Sequence, residues 1–305
     1  MQSDQTWTEQ IEGFRLFLKL EKSLSENSIE AYLRDIGKLH NYCTVQNLET
    51  LPQHLVYKNI ADFIIFINKL GVSDTSQARI ISGIRAFYKY LLIEDIIETD
   101  PTELIEGPKL QRKLPDVLTT QEIEKMIDAI DLSNPNGQRN KTIIEVLYGS
   151  GLRVSELCNL KISNIHFNEE YIKIKGKGSK ERLVPLGKLA ANNLIIYKDL
   201  IRSKIKIKPA FEDFVFINNR GTSYSRIMIF YIIKEAAKNA GITKTISPHS
   251  LRHSFASHMV DGGADLRAVQ EMLGHESILT TEIYTHIDNS FLRDAIIQFH
   301  PRGKF

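Results

Sequence analysis

Cysteine is scarce in this sequence, and its two thiols lie far apart along the chain. Cys43 and Cys158 are the only cysteines among 305 residues, and they fall in different halves. A protein held together by a disulfide framework needs a larger set of cysteines, so that class of protein is excluded. The scarcity fits a reducing compartment, and we expect a cytoplasmic protein.

Long apolar runs are also missing. No stretch approaches the roughly 18 apolar residues that a membrane span needs. The first residues are polar and lack the basic and then apolar layout of a secretory signal. With 42% apolar and 25% charged residues, the composition is that of a globular chain of about two domains, so we expect no contact with a membrane.

A strong charge of one sign is absent as well, because the net charge is only +2. The two parts of the chain nevertheless differ. Residues 1–108 carry 10 basic and 16 acidic side chains, whereas residues 109–305 carry 29 basic and 21 acidic ones. A basic C-terminal part favours nucleic acid as a partner, although a solvated charged face gives the same excess.

The first hundred residues predict a bundle of helices. Apolar residues recur at helical spacing over residues 8–20, 58–70 and 73–93, and in a run that begins after Ser25 or Asn27. The last of these helices carries three basic residues that either contact DNA phosphates or form a solvated face: Arg79, Arg85 and Lys89.

Proline and glycine interrupt this helical pattern just after residue 100. They predict a linker over residues 108–118, between an N-terminal helical domain, 1–107, and a second domain, 119–305. The second domain opens with Thr119 and Glu122, which have the spacing of a helix capping box.

A different pattern follows in the second domain. Residues 171–175 alternate apolar and basic, and R-L-V-P-L follows after the turn G-K-G-S-K-E, so a β-hairpin is predicted. Its tip carries Lys177 and Lys180, either as a solvated turn or as a finger that delivers an ammonium group into a groove. A short strand is also expected over residues 215–217. The predicted fold is therefore mainly α with a small β component: a helical bundle followed by a mixed α/β domain.

Residues 247–286 hold the polar side chains of greatest interest. Four of them could together bind a phosphodiester and attack it: His249, Arg252, His275 and Tyr284. Ser247 followed by Pro248 predicts the start of a helix. His249 and Arg252, three residues apart, would share one face near that helix N-terminus, where a phosphate is favoured.

A zinc site is the main alternative for this stretch, because His249 and His253 have the i, i+4 spacing of a metalloprotease helix. The residues between them are Ser-Leu-Arg, so the glutamate that would act as base is missing, and Arg252 opposes a cation. The sequence contains no evident carboxylate cluster for magnesium. We therefore expect a phosphate-directed site with no metal and no cofactor.

Five short motifs stand in order along the chain. They are G-L-R-V-S-E-L with Arg153, G-K-G-S-K-E-R with Lys177, H-S-L-R-H with His249 and Arg252, L-G-H-E with His275, and Y-T-H with Tyr284. With them the sequence resembles the tyrosine recombinases of the phage-integrase superfamily over essentially its whole length. It is most similar to the XerC/XerD group of chromosome-dimer resolvases, and within that group to XerD. Five motifs with compatible spacing are strong evidence, whereas one alone is weak.

The chemistry of these side chains agrees with the resemblance. Arg153 and Arg252 can hold the nonbridging oxygens of a phosphodiester through bidentate hydrogen bonds. Tyr284 is a phenol with a pKa of about 10, so its attack needs assistance, which we assign to His249. His275 would donate to the transition state, and Lys177 would protonate the 5′-oxygen that leaves.

The resemblance implies a site-specific recombinase that cuts and rejoins duplex DNA through a 3′-phosphotyrosyl intermediate and a Holliday junction, without ATP. It implies a homo- or heterotetramer that resolves chromosome dimers at a dif-like site, with a second Xer-type recombinase and a DNA translocase activator as candidate partners. The C-terminal tail, 289–305, would dock on a neighbouring subunit. Glu156, one turn after Arg153, either orients that arginine or Lys177, or is a surface charge. The alternatives are an integrase or invertase of a mobile element, a non-catalytic DNA-binding protein of the same fold, and a metal-dependent nuclease.

Overall fold

The computed structural model divides the chain into two compact units, Met1–Lys113 and Leu114–Phe305, and each has its own hydrophobic core. The structure describes the following residues: 2–48, 50–110, 117–175, 181–274 and 289–303. Within these ranges, no helix combines the length and the apolar character that crossing a membrane requires.

The described part of the N-terminal unit is helical, as predicted. Its helices are α1 (Gln2–Leu20), α2 (Glu26–Val45), α3 (Tyr57–Lys69) and α4 (Asp74–Ile93), with a 3₁₀ turn at Pro52–His54. Ser25 and Ser73 are the N-cap residues of α2 and α4. Two residues after α3, Gly71 has a φ of +74°, a backbone conformation that favours glycine, so the chain can turn sharply there.

Aromatic side chains dominate the core of the N-terminal unit. Trp7 and Phe14 on α1 pack against Phe87 on α4, with ring centroids 6.4 and 5.3 Å apart. The polar tips are satisfied, because Trp7 Nε1 donates to the Thr50 carbonyl at 3.1 Å and the Tyr88 hydroxyl donates to the Pro52 carbonyl at 2.9 Å. Large aromatic rings with satisfied polar atoms therefore hold the helices of this bundle together.

The C-terminal unit combines helices with a small sheet. Its described helices are α5 (Thr120–Asp128), α6 (Gly137–Gly149), α7 (Val154–Cys158), α8 (Lys188–Ile196), α9 (Arg226–Asn239), α10 (Pro248–Asp261), α11 (Leu266–Leu273) and α12 (Asn289–Phe299). A π-helical turn, Tyr197–Ile201, extends α8, and 3₁₀ turns occur at Ile162–Asn164, Arg202–Lys204 and Pro209–Phe211.

The sheet has the strand order β1 (Ile165–His166), β2 (Tyr171–Lys175) and β3 (Glu181–Pro185), and all its pairings are antiparallel. The strands predicted on either side of the hairpin turn are present, but the sequence did not predict β1. The prediction of a strand over 215–217 is wrong, because the pairing near these residues is limited to two isolated bridges, Lys161 with Phe214 and Ile217 with Ser223.

Helix α6 forms the centre of the C-terminal unit. Every residue from Thr142 to Gly149 is buried, and the helix packs against α8 and α10. Just after it, Gly151 has a φ of +57°, and a Cβ there would lie 2.5 Å from the Phe255 ring. Only glycine fits this turn, which brings the chain close to α10 and leads directly into Arg153 and α7.

The start of the C-terminal unit is anchored by hydrogen bonds. The predicted capping box is present, because the Thr119 hydroxyl accepts from Glu122 N at 3.2 Å and Glu122 Oε2 accepts from Thr119 N at 2.7 Å. Leu118 N donates to the Ser254 hydroxyl on α10 at 2.9 Å, and Lys244 Nζ donates to the Val117 carbonyl at 3.0 Å. The chain is thereby fixed to α10 where α5 begins.

Candidate active site

Arg153 is held at the N-terminus of α7, immediately after the glycine turn. Its backbone N–H donates to Glu156 Oε2 at 2.7 Å, and its Nη1 donates to Glu156 Oε1 at 3.0 Å. Its Nη2 donates to the Gly274 carbonyl at 3.1 Å. The side chain is still 42% exposed, so part of this guanidinium remains available to a ligand from solvent.

Arg252 lies on α10, one turn from the helix start. Ser247 is the N-cap residue and Pro248 occupies the first turn, as the sequence predicted. The Arg252 side chain is buried, and it donates to the carbonyls of Gly151, at 2.7 Å, and Leu273. Burial, reinforced by the nearby positive charge of Arg153, lowers the Arg252 pKa to about 10, so the guanidinium stays charged at neutral pH.

Glu156 is a buried carboxylate rather than a surface charge, with its side chain 7% exposed. Arg182 on β3 binds it bidentately, with Nη1 to Oε1 at 2.8 Å and Nη2 to Oε2 at 2.9 Å. Arg252 Nη1 lies 3.9 Å from Oε2. Burial alone would raise the Glu156 pKa, but hydrogen bonds from Arg182 and from the Arg153 backbone outweigh it and lower that pKa.

These four residues, Arg153, Arg182, Arg252 and Glu156, are called the arginine cluster below. It contains three guanidinium groups and one ionised carboxylate, which leaves an excess of two positive charges at one place in the fold. A buried ion pair is normally balanced, because each uncompensated charge is costly to desolvate. An excess beside the partly exposed Arg153 therefore suits a doubly contacted anion such as a phosphate group.

Arg182 was not among the residues singled out from the sequence. It follows directly on the predicted hairpin tip, in the letters K-E-R, where charged residues are usual. The basic residue at the end of that motif was the only indication, and it does not distinguish a solvated strand end from a buried ion pair. Arg182 and Glu156 are distant in the sequence, and only the fold brings them into contact.

His249 lies in the first turn of α10, on the same helix as Arg252. It is exposed, and its side chain makes no hydrogen bond to another described residue. Four further predicted residues lie outside the described residues: Lys177, Lys180, His275 and Tyr284. The sequence nevertheless places His275 directly after Gly274, whose carbonyl Arg153 contacts.

Metal ligands do not converge in the described ranges, which contain no group of three or more His, Cys, Asp or Glu side chains with metal-binding geometry. His258, which lies on α10 with His249 and His253, instead pairs with Tyr148, with Nδ1 and the hydroxyl 2.8 Å apart. Its pKa is lowered by burial. That histidine is therefore part of the core packing between α6 and α10.

Two of the three basic residues that were considered for DNA contact in the N-terminal unit have internal partners. Arg79 donates to the buried carboxylate of Asp35, and Arg85 donates to the Ile105 carbonyl. Lys89 is exposed on the same helix. All three side chains reach the surface, so the internal contacts orient Arg79 and Arg85 while leaving them accessible.

Comparison with known proteins accounts for both units. The phage integrase family model matches residues 116–290, and the model for its N-terminal SAM-like domain matches residues 11–95. The chain is 43% identical to tyrosine recombinase XerD of Listeria innocua over 96% of this chain and 99% of that protein. It is also 43% identical to tyrosine recombinase XerD of Chlorobaculum tepidum, over 98% and 99% of the two chains.

A solved structure gives the same assignment. The XerH site-specific recombinase, bound to a palindromic difH substrate in a post-cleavage complex, matches with a TM-score of 0.67 and 26% identity. The match covers 88% of this chain and 78% of that one. Both units, the order of the motifs and the full-length similarity agree. The chain therefore belongs to the phage integrase family and is a site-specific tyrosine recombinase.

Proposed function

We propose that this recombinase cuts and rejoins duplex DNA at a dif-like site and thereby resolves chromosome dimers. The observation that carries the proposal is the arginine cluster, whose excess positive charge lies at the partly exposed Arg153. This excess positive charge would be neutralised by an anion that both Arg153 and Arg252 contact, and a phosphodiester of DNA is such an anion. The full-length similarity to two XerD recombinases supports the chromosomal role.

In this proposal the two arginines Arg153 and Arg252 hold the nonbridging oxygens of the scissile phosphate. The phenol oxygen of Tyr284 attacks phosphorus while His249 takes the phenol proton, and a phosphotyrosyl bond forms as the bond to the 5′-oxygen breaks. Lys177 gives that oxygen its proton, and His275 donates a hydrogen bond to the transition state. The phosphotyrosyl bond keeps the energy of the broken diester, so rejoining to another strand needs no ATP.

Residues 1–107 would act as the DNA-binding domain and residues 119–305 as the catalytic domain, joined by the linker 108–118. Four basic side chains are assigned to phosphate contacts: Arg79, Arg85, Lys89 and Lys180. Double-stranded DNA is the expected substrate, because the XerH complex contains its difH site. We assign a tetramer on two sites, with a second Xer-type recombinase and a DNA translocase as partner and activator.

The tail, residues 289–305, bears on how such a tetramer is regulated. In the single chain α12 packs on its own unit, where Leu292, Ala295 and Ile296 are buried. Docking of this tail on a neighbouring subunit would have to release those side chains or exchange them for equivalent contacts. We propose such an exchange. A chain that ends at Asp288 would then lose cooperative occupancy of a full site while still binding a half-site below its melting temperature, which the loss of the Glu145–Arg302 pair and of the α12 core residues lowers.

Covalent trapping tests the proposed function. A suicide substrate with a nick beside the cleavage position should accumulate a protein–DNA adduct with the wild-type chain and none with Tyr284→Phe, which loses only the hydroxyl. An adduct at the wild-type level in that variant would identify another nucleophile. Absence of any adduct from the wild type would favour a DNA-binding protein without catalysis, and loss of cleavage on chelation would favour a metal-dependent nuclease.

A chromosomal role requires a further measurement. Sequencing genomic DNA that is covalently trapped on the protein should return one site in the chromosome. Recovery of the ends of a mobile element or of an invertible segment would instead assign the chain to integration or inversion.

A further inference from the structure

Arg182 differs from the other two arginines of the arginine cluster because its hydrogen bonds are committed to the protein. Its Nη1 and Nη2 bind the two oxygens of Glu156, and its Nε donates to the Met272 carbonyl at 2.9 Å. The side chain is 12% exposed. All three nitrogens of the guanidinium are thus engaged, whereas Arg153 remains 42% exposed with part of its guanidinium free to meet a ligand.

The partners of Arg182 belong to two separate elements. Glu156 lies on α7 and also receives two hydrogen bonds from Arg153, one from its backbone and one from its side chain. Met272 lies in the last turn of α11. A single side chain on β3 therefore joins the sheet to α7 and to the end of α11.

The chain after α11 is shaped around the same guanidinium. Gly274 has a φ of +64°, and a Cβ there would lie 3.1 Å from Arg182 Cδ and 3.3 Å from its Cζ. The carbonyl of this glycine is the acceptor of Arg153 Nη2. Arg182 thus packs on one side of Gly274 while Arg153 bonds to it, at the residue that immediately precedes His275 in the sequence.

We propose that Arg182 is a positioning residue for DNA cleavage: it holds Glu156 with two hydrogen bonds, and Glu156 in turn orients Arg153 toward the scissile phosphate. By binding the end of α11, Arg182 also fixes where the segment that carries His275 begins. Arg182 contacts no reacting atom. This inference rests on the proposed function, because it assigns a role within the same cleavage step.

Lysine cannot take this role, although it keeps the charge. Its ammonium group is a point charge on a flexible stem, so it can neither bind both oxygens of Glu156 in a plane nor reach the Met272 carbonyl at the same time. A small displacement of a group that binds the transition state is enough to slow chemistry strongly. The effect should fall on the rate of the covalent step and spare DNA binding.

Arg139 provides a matched control. It is a buried arginine of the same unit with three side-chain hydrogen bonds, to Asn136 and Asn140, and it makes none to the arginine cluster. Arg139→Lys should therefore reproduce the general cost of replacing a buried arginine. Any additional effect of Arg182→Lys then belongs to its contacts with Glu156 and Met272.

The experiment measures three quantities for the wild type, Arg182→Lys and Arg139→Lys: the melting temperature, the half-site Kd, and the rate of adduct formation on a suicide substrate at saturating protein. For Arg182→Lys we expect the rate to fall about 10- to 100-fold. We expect its half-site Kd to stay within about threefold of the wild type, because no phosphate contact is lost. Arg139→Lys should keep the wild-type rate at an assay temperature below all three melting temperatures.

A double variant covers the case in which Arg182→Lys does not fold. Arg182→Met with Glu156→Gln removes both charges of the pair and leaves no buried carboxylate unpaired, so the unit should fold. Its rate of adduct formation should be as low as that of Glu156→Gln alone or lower, because both changes remove the support of Arg153 and Arg182→Met also removes the hydrogen bond to the Met272 carbonyl.

Each other outcome overturns the inference. A wild-type rate in Arg182→Lys, or in the double variant, means that the contact is structural only. Weaker half-site binding with an unchanged rate at saturation means that Arg182 contacts DNA. An equal loss of rate in Arg139→Lys means that the effect is general destabilisation. If the wild-type chain forms no adduct, the proposed function itself fails, which this set of variants separates from failure of the positioning role alone.

Discussion

Among the described residues of the C-terminal unit, two glutamates have buried side chains, and each is bound by an arginine through two hydrogen bonds. Glu156 pairs with Arg182 in the arginine cluster, and Glu145 on α6 pairs with Arg302, with Nε to Oε2 at 2.9 Å and Nη2 to Oε1 at 2.5 Å. The local geometry is nearly the same. The surroundings differ, and that difference separates a site for a ligand from an anchor of the fold.

The second region, called the C-terminal clasp here, consists of Glu145, Arg302, His300 and Tyr148. Its charges are balanced, with one guanidinium for one carboxylate. Aromatic rings surround the pair, and the ring centroids of His300 and Tyr148 are 4.7 Å apart. Burial raises the Glu145 pKa despite the opposing effect of Arg302, whereas the Glu156 pKa is lowered. Glu156 is surrounded by more positive charge than it can neutralise, so an anion can bind beside it. Glu145 is neutralised by one arginine, so its ion pair serves the packing of the fold.

The largest expected effect on stability comes from breaking the clasp. Arg302→Ala leaves Glu145 buried, 2% exposed, without its partner. The free energy of unfolding should fall by about 3–5 kcal/mol, as is usual when one member of a buried pair is removed. Urea or thermal unfolding followed by circular dichroism measures the loss.

The cause of that loss can be checked with a second substitution. Adding Glu145→Gln to Arg302→Ala removes the unpaired charge, so most of the lost stability should return. No recovery would mean that lost packing, rather than the buried charge, explains the destabilisation, and the comparison between the two glutamates would lose its electrostatic basis.

The next effect separates activity from stability in the arginine cluster. Arg153→Ala should slow adduct formation on a suicide substrate by about 10²–10³-fold, as expected when one donor to a transition state is removed. Its free energy of unfolding should change by less than about 1 kcal/mol, because the lost side chain is partly exposed and Arg182 still neutralises Glu156. A large fall in stability with normal cleavage per folded molecule would reverse the roles assigned to the two regions.

Much of the fold could be predicted because its rules are local. The capping box of Thr119 and the Ser247–Pro248 helix start depend on residues within one turn, and both are present. The strands around the hairpin turn follow from alternation. In contrast, β1 has two residues, Ile165–His166, which is too short for any period to be recognised.

The site could be predicted only in part, for a related reason. Motifs identify residues whose chemistry is distinctive, and Arg153 and Arg252 do converge on one place in the fold. Arg182 was missed because its role depends on a carboxylate 26 positions away. For Glu156 the sequence left open an orienting group or a surface charge, and the structure shows that its side chain is buried. The tail pattern predicted an apolar helix but could not say that it packs on its own unit.

A pH effect of intermediate size distinguishes the clasp further. Burial, together with the nearby positive charges of His258 and Arg302, lowers the His300 pKa from 6.5 to about 3. His300 is therefore neutral in the folded chain but takes up a proton on unfolding between these two values. The stability that neutral His300 contributes is fully present above pH 6.5. It falls as the pH drops toward 3, by up to about 1.4 kcal/mol per pH unit.

The variant His300→Phe tests this assignment, because it removes the titrating group and keeps a ring against Tyr148 and Phe255. Its melting temperature should depend less on pH between 6.5 and 4.5 than that of the wild type. Below 4.5, protonation of Glu156 adds its own loss of stability in both proteins, because the folded-state pKa of that carboxyl is lowered from 4.5. Parallel curves above pH 4.5 would exclude His300 as the titrating group.

The smallest expected effect concerns the Tyr148 hydroxyl, which lies 2.8 Å from His258 Nδ1. Tyr148→Phe keeps the buried ring and removes one hydrogen bond, so the free energy of unfolding should fall by about 0.5–1.5 kcal/mol. Tyr88→Phe, which removes a hydroxyl bonded to the Pro52 carbonyl in the N-terminal unit, is the matched control. Both variants should form the DNA adduct at the wild-type rate below their melting temperatures. If Tyr148→Phe alone slows adduct formation, then the C-terminal clasp and the arginine cluster are coupled through α6 and α10, and the division between anchor and ligand site must be given up.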